Sequence, residues 1–171
     1  CELAANLARW DAANGTNDGA VLVYRGSPEG LQEAPVHFIA DTENTGNHLG
    51  QRLDLGDVNG DGLADLLVSH RYFDSGGKGN RGALHLLLGR TDLPAEAVLA
   101  PEPVEIFDWT AVGRDSNDEM GLGAQLIDMN MDGLLDIVGM GQYSEAPTRP
   151  TNGGGLEVYF GAVGGLPKTD P

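Results

Sequence analysis

Two stretches, "DVNGDGLAD" (57–65) and "DMNMDGLLD" (128–136), set an acid or amide at positions 1, 3, 5 and 9 and a glycine at position 6. Oxygen donors at that spacing, with a backbone carbonyl at position 7, can wrap a hard cation, and glycine permits the reversal that brings them together. The pattern selects Asp57, Asn59, Asp61, the Leu63 carbonyl and Asp65, and again Asp128, Asn130, Asp132, the Leu134 carbonyl and Asp136. Three carboxylates per loop without nitrogen or sulfur donors favour Ca²⁺ over Zn²⁺. They favour it over Mg²⁺ as well, which demands rigid octahedral geometry. The competing reading is a metal-free hairpin turn. Retention of three mutually repelling carboxylates in both copies argues for two Ca²⁺ sites.

The residues just beyond each loop fix its setting. An EF-hand needs an acid at position 12, and here that place holds Val68 and Gly139. The residues after position 9, "LLVS" and "IVGM", are strand-like rather than amphipathic, so each loop closes as the chain enters a buried strand of a β-hairpin.

The two loops lie 71 residues apart, and this offset also superposes Gly50 on Gly121 and Leu55 on Leu126. Downstream, "NRGALHLLLG" (80–89) matches "NGGGLEVYFG" (152–161) at an offset of 72, which places a one-residue insertion in the variable stretch between. Residues 1–26 align without a gap on 64–89, with Leu3, Asp11, Asn17, Gly19, Ala20 and Gly26 identical. In this register Cys1 falls on Ala64 and Glu2 on Asp65, so the first unit is expected to begin inside its own loop. The expected organisation is 1–31, the C-terminal part of a truncated unit; 32–94, with loop 57–65; and 95–171, with loop 128–136. Strands are predicted at 21–25, 51–56, 63–69 and 83–89, the apolar runs suiting burial on both faces.

Composition agrees with an all-β chain. Its 26 glycines among 171 residues are roughly double ordinary usage, which favours tight turns over long helices. A net charge of −16 repels nucleic acid and anionic membranes and attracts cations. No apolar run reaches the ~18 residues of a membrane-spanning helix, so no membrane insertion is expected. The single cysteine, Cys1, excludes an internal disulfide and a cysteine zinc site, although a processed lipoprotein also begins with cysteine.

The unit resembles the FG-GAP repeat, the blade of β-propellers in integrin alpha subunits and many bacterial surface proteins. The carrying residues are "LGQRLDLGDVNGDGLADLLVS" (49–69) and "MGLGAQLIDMNMDGLLDIVGM" (120–140), followed by "GALHLLLG" and "GGLEVYFG". Leu49-Gly50 and Met120-Gly121 stand where the family has Phe-Gly, and the Gly-Ala-Pro element is replaced by "SHR" (69–71) and "GMG" (139–141). The resemblance implies about two and a half four-stranded blades, an open segment of a larger or assembled propeller, with Ca²⁺ in the hairpin loops and no active site. Family propellers close with about seven blades, so the remaining ones are expected in cis or in trans. Uncovered strand edges would otherwise invite aggregation.

No HExxH, GxSxG or P-loop pattern occurs, and His37, His48, His70 and His85 lie apart in sequence, so no enzyme is expected. His85 reads as a strand residue, while His70, Arg71, Tyr72 and Phe73 form a candidate partner-binding loop. Trp10, Phe73 and Tyr143 read as a recurrent packing aromatic or a sugar platform. Asn14-Gly15-Thr16 is formally a glycosylation sequon, and "APTRPTN" (146–152) a proline-bearing turn. Three functions remain open: an extracellular or cell-surface, calcium-stabilised scaffold for adhesion or protein binding; a carbohydrate-binding propeller; and a non-catalytic accessory part of a secreted enzyme. The expected ligand is thus a protein or a glycan.

Overall fold

The apolar run leaving the first loop forms β6 (Asp65–His70), and all six of its residues are buried. The computed structural model describes residues 2–7, 10–11, 17–41, 46–91, 106–142 and 153–165, for 2–7 the backbone alone. Cys1, the Glu2 side chain, the sequon at 14–16, Tyr143 and the turn at 146–152 therefore lie outside the described residues. Among those described there is no α-helix.

Three antiparallel sheets succeed one another along the chain. The middle sheet runs β5 (Leu49–Gly56), β6, β7 (Ala83–Leu87) and β8 (Trp109–Val112) in that order. In the first sheet, β2 (Ala20–Ser27) pairs with β1 (Glu2–Leu7) on one side and with β4 (His37–Ala40) and the short β3 (Gly30–Leu31) on the other. The third sheet contains β9 (Gly123–Ile127), β10 (Asp136–Gly141) and β11 (Gly155–Tyr159), with β10 central. This is the build of successive propeller blades, the fold expected from the repeat.

Strand register reproduces the sequence repeat. Leu3 pairs with Tyr24, Leu66 with Leu87 and Ile137 with Tyr159, so the partners keep the alignment, including the one-residue insertion between 66–87 and 137–159. The sheets are nevertheless staggered against the sequence units. β4 completes the first sheet and β8 the middle one, although the divisions at 31/32 and 94/95 place each with the following unit.

Alternation along the strands makes two cores. Leu66, Val68 and Leu87 pack toward the first sheet with Val21, Val23 and Ile39, while Leu67, Leu84 and Leu86 pack toward the third with Leu126 and Ile137. The middle sheet is thus covered on both faces, which accounts for its lack of polar alternation: β7 too is buried throughout. The sheets are also joined directly. The Leu49 N–H donates to the Asp18 carbonyl at 2.9 Å and the Met120 N–H to the Arg81 carbonyl at 3.0 Å. The Leu126 N–H donates to Asp54 Oδ2 at 2.8 Å.

Candidate metal centre

Each loop links the first two strands of its sheet, β5 to β6 and β9 to β10. The two have nearly the same internal wiring. Asp57 Oδ1 accepts from the Gly60 and Asp61 N–H groups at 2.8 and 3.2 Å, and its Oδ2 accepts from Gly62 N–H at 2.8 Å. Asn59 Oδ1 accepts from Asp61 N–H at 3.0 Å, and Asp61 Oδ1 from Leu63 N–H at 2.8 Å. In the second loop Asp128 accepts from Asp132 and Gly133, Asn130 from Asp132, and Asp132 from Leu134. Side-chain acceptors at positions 1, 3 and 5 therefore hold the turn by capping backbone donors, as Asp and Asn do in Asx-turns.

Position 9 acts differently. Asp65 and Asp136 are fully buried. Asp65 Oδ2 accepts from Val58 N–H and Oδ1 from Gly89 N–H, both at 2.8 Å, tying the loop to the end of the neighbouring β7. Asp136 repeats this with Met129 and Gly161, again at 2.8 Å. Burial raises the Asp65 carboxyl above its ordinary pKa; the two N–H donors oppose that shift, and the nearby charges of Asp61 and Asp57 add to it.

The donor set of each loop suits a hard cation: three carboxylates, one amide oxygen and no nitrogen or sulfur ligand. Among the described residues, however, no three carboxylate, histidine or cysteine side chains are drawn into a cation cage. The loop carboxylates are turned to backbone N–H groups instead. The loops neighbour each other, with Leu134 closing over Gly60 and Gly164 N–H donating to the Asn59 carbonyl at 3.3 Å.

A buried polar chain lies at the opposite end of β6. Asn47 Nδ2 donates to Asp41 Oδ2 at 2.7 Å, and that oxygen lies 3.6 Å from His70 Nε2. His70 Nδ1 and His85 Nε2 are 3.3 Å apart, one donating to the other, and His85 Nδ1 contacts Thr110 Oγ1 at 2.8 Å. Phe107 stacks on His85 with ring centroids 4.6 Å apart, and Phe73 lies 4.9 Å from His70. Burial pushes the His70 imidazole down to about 3. Burial, reinforced by His70 and opposed by Asp41, also holds His85 well below its ordinary value. Neither sequence spacing nor motif joins these residues: pairing of β6 with β7 and of β7 with β8 brings His70, His85 and Thr110 together, and Asp41, just after β4, and Asn47, just before β5, meet them from outside that sheet pairing.

The loop 70–73 is likewise engaged internally. Arg71 donates to Glu119 Oε2 at 2.6 and 3.0 Å and to Gln142 Oε1 at 3.0 Å, linking the middle sheet to the third. Tyr72 meets His48 edge-on at 5.0 Å. Trp10 packs edge-on against Phe38 at 5.4 Å. Phe73 and Trp10 therefore pack against neighbouring side chains.

Residues 49–87 match the family model of the FG-GAP repeat. The match begins at the first residue of β5 and ends at the last of β7, enclosing the first loop. A search of curated proteins gives no match.

Proposed function

We propose that this chain is a calcium-stabilised segment of an extracellular β-propeller that serves as a scaffold for adhesion or protein binding. The observation that carries the reading is the duplicated loop, in which Asp57, Asp61 and Asp65, and again Asp128, Asp132 and Asp136, crowd three carboxylates into nine residues. Such a crowded group repels itself, and a divalent cation relieves the repulsion that the backbone caps leave. Asp57, Asn59, Asp61, Asp65 and the Leu63 carbonyl would hold one Ca²⁺, and their counterparts from Asp128 to Asp136 the other. Binding would convert loops held by N–H caps into fixed corners of the sheets.

Isothermal titration of chelator-stripped protein with Ca²⁺ tests this. Two sites are expected, one being lost in Asp61→Ala and the other in Asp132→Ala. Absence of heat and of any thermal stabilisation at millimolar Ca²⁺ overturns the calcium role. The carbohydrate-binding alternative gains no support from the packing of Trp10 and Phe73.

A further inference from the structure

The three sheets stack with one sense. Each interface joins what can be called the front of one sheet to the rear of the next: Val21 and Val23 lie on the front of the first, Leu66 and Val68 on the rear of the middle one. The front of the middle sheet, with Leu67, Leu84 and Leu86, meets the rear of the third, with Leu126 and Ile137.

Among the described residues, the front of the third sheet has no sheet against it, and it is apolar. Ile127, Met129, Met140, Leu156 and Phe160 are all exposed there. By repeat register they stand where the middle sheet has Gly56, Val58, Ser69, Leu84 and Leu88, which face the third sheet. Val58 and Leu84 are 0% exposed, whereas their counterparts Met129 and Leu156 are 49% and 58% exposed. The same positions that bury an interface inside the chain are thus open at its end. At the other end, Leu22 pairs with Phe38 on the rear of the first sheet, and Tyr24 shares that face; all three are only partly covered. Of the corresponding residues in the middle sheet, Leu87 packs into the core shared with the first sheet, and His85 reaches Asp41 through His70.

We propose that the front of the third sheet binds the rear of the first sheet of a second copy, so that the chains associate head to tail. The inference rests on reading the sheets as propeller blades. Both surfaces belong to the types that already pack together twice within the chain, and a contact between two different faces of identical subunits is heterologous. Such a contact propagates until it closes into a ring or grows into a filament. A contiguous exposed apolar face on a folded domain ordinarily marks an interface.

Sedimentation velocity of the intact chain across the micromolar range tests the proposal. The weight-average mass is expected to rise above the 17.9 kDa monomer with concentration. Leu156→Glu blocks the front and Tyr24→Glu the rear, so each variant alone is expected to stay monomeric. An equimolar mixture of the two retains one competent front and one competent rear, and is expected to stop at the dimer. A mass fixed at the monomer for the wild type overturns the proposal. Association that survives Tyr24→Glu in combination with Leu156→Glu overturns it as well, since both faces are then blocked. Circular dichroism checks that the variants are folded; Met129→Glu, on the exposed loop, replaces Leu156→Glu if that variant unfolds. Running the series in chelator as well as in Ca²⁺ separates this result from the calcium reading, which fails or holds by its own titration.

Discussion

At the scale of single residues, Asp65 and Asp61 carry the same chemistry in different surroundings. Asp65 is buried and satisfies the Val58 and Gly89 N–H groups, whereas Asp61 is exposed on the loop. Asp65→Ala leaves two donors without that partner and is expected to lower the unfolding free energy by about 3 kcal/mol in chelator. Asp61→Ala should cost less than about 1 kcal/mol there and act chiefly on metal affinity. Urea denaturation with and without Ca²⁺ checks both. The buried imidazoles give a pH dependence of definite sign. Their folded pKa values lie below the ordinary 6.5, so the unfolded chain binds more protons between the two values. Stability is then full above about pH 6.5 and falls as pH drops through that value, by about 1.4 kcal/mol per unit for each imidazole that stays neutral. Asp41, at 3.6 Å from His70, is the carboxylate facing this pair. Melting curves between pH 7 and pH 5 are expected to show the decline, and His85→Gln to reduce its slope. The ten proposed ligands were legible as a pattern in the sequence, but the polar chain was not. Asp41, His70, His85 and Thr110 are distant in sequence; strand pairing joins His70, His85 and Thr110, and packing of the first sheet on the middle one brings in Asp41.

At the scale of elements, the strands flanking the loops were readable because apolar runs and turn glycines mark them. β4 and β8 were not, since "HFIA" and "WTAV" are short and carry no turn signature of their own. Their assignment depends on which sheet they pair with. The junctions between sheets rest on backbone contact. Gly82 has φ +74°, and a Cβ there would lie 2.2 Å from the Met120 carbonyl oxygen. Gly154 stands in the same register with φ +65°, and its nearest neighbour is the Gln142 carbonyl oxygen at 3.3 Å. Gly82→Ala therefore combines a left-handed backbone with a collision against main chain, and is expected to cost more than about 3 kcal/mol. Gly154→Ala meets chiefly the conformational penalty, about 1 kcal/mol. Denaturant midpoints of the two variants compare them directly.

At the scale of the whole molecule, and among the described residues, the middle sheet has another sheet against both faces and each outer sheet against one. Opening of the stack from its ends leaves β6 and β7 until last, so native-state hydrogen exchange is expected to be slowest at Leu66–Val68 and Leu84–Leu86 and faster in β9–β11. Equal protection in all three sheets would show a single cooperative unit instead. Composition and repeat announced an all-β stack, while the order in which its members fit was hidden in side-chain volumes. The Leu135 side chain lies over Gly56, where an added Cβ would come within 2.2 Å of it. One repeat earlier the place of Leu135 is taken by Ala64, and one repeat later the place of Gly56 is taken by Ile127. A third sheet set upon another third sheet would drive leucine into isoleucine, and a middle sheet set upon another would leave the glycine notch half filled. This single recess gives each sheet an address, and shuffling the repeats would scramble the chain even though every strand were kept.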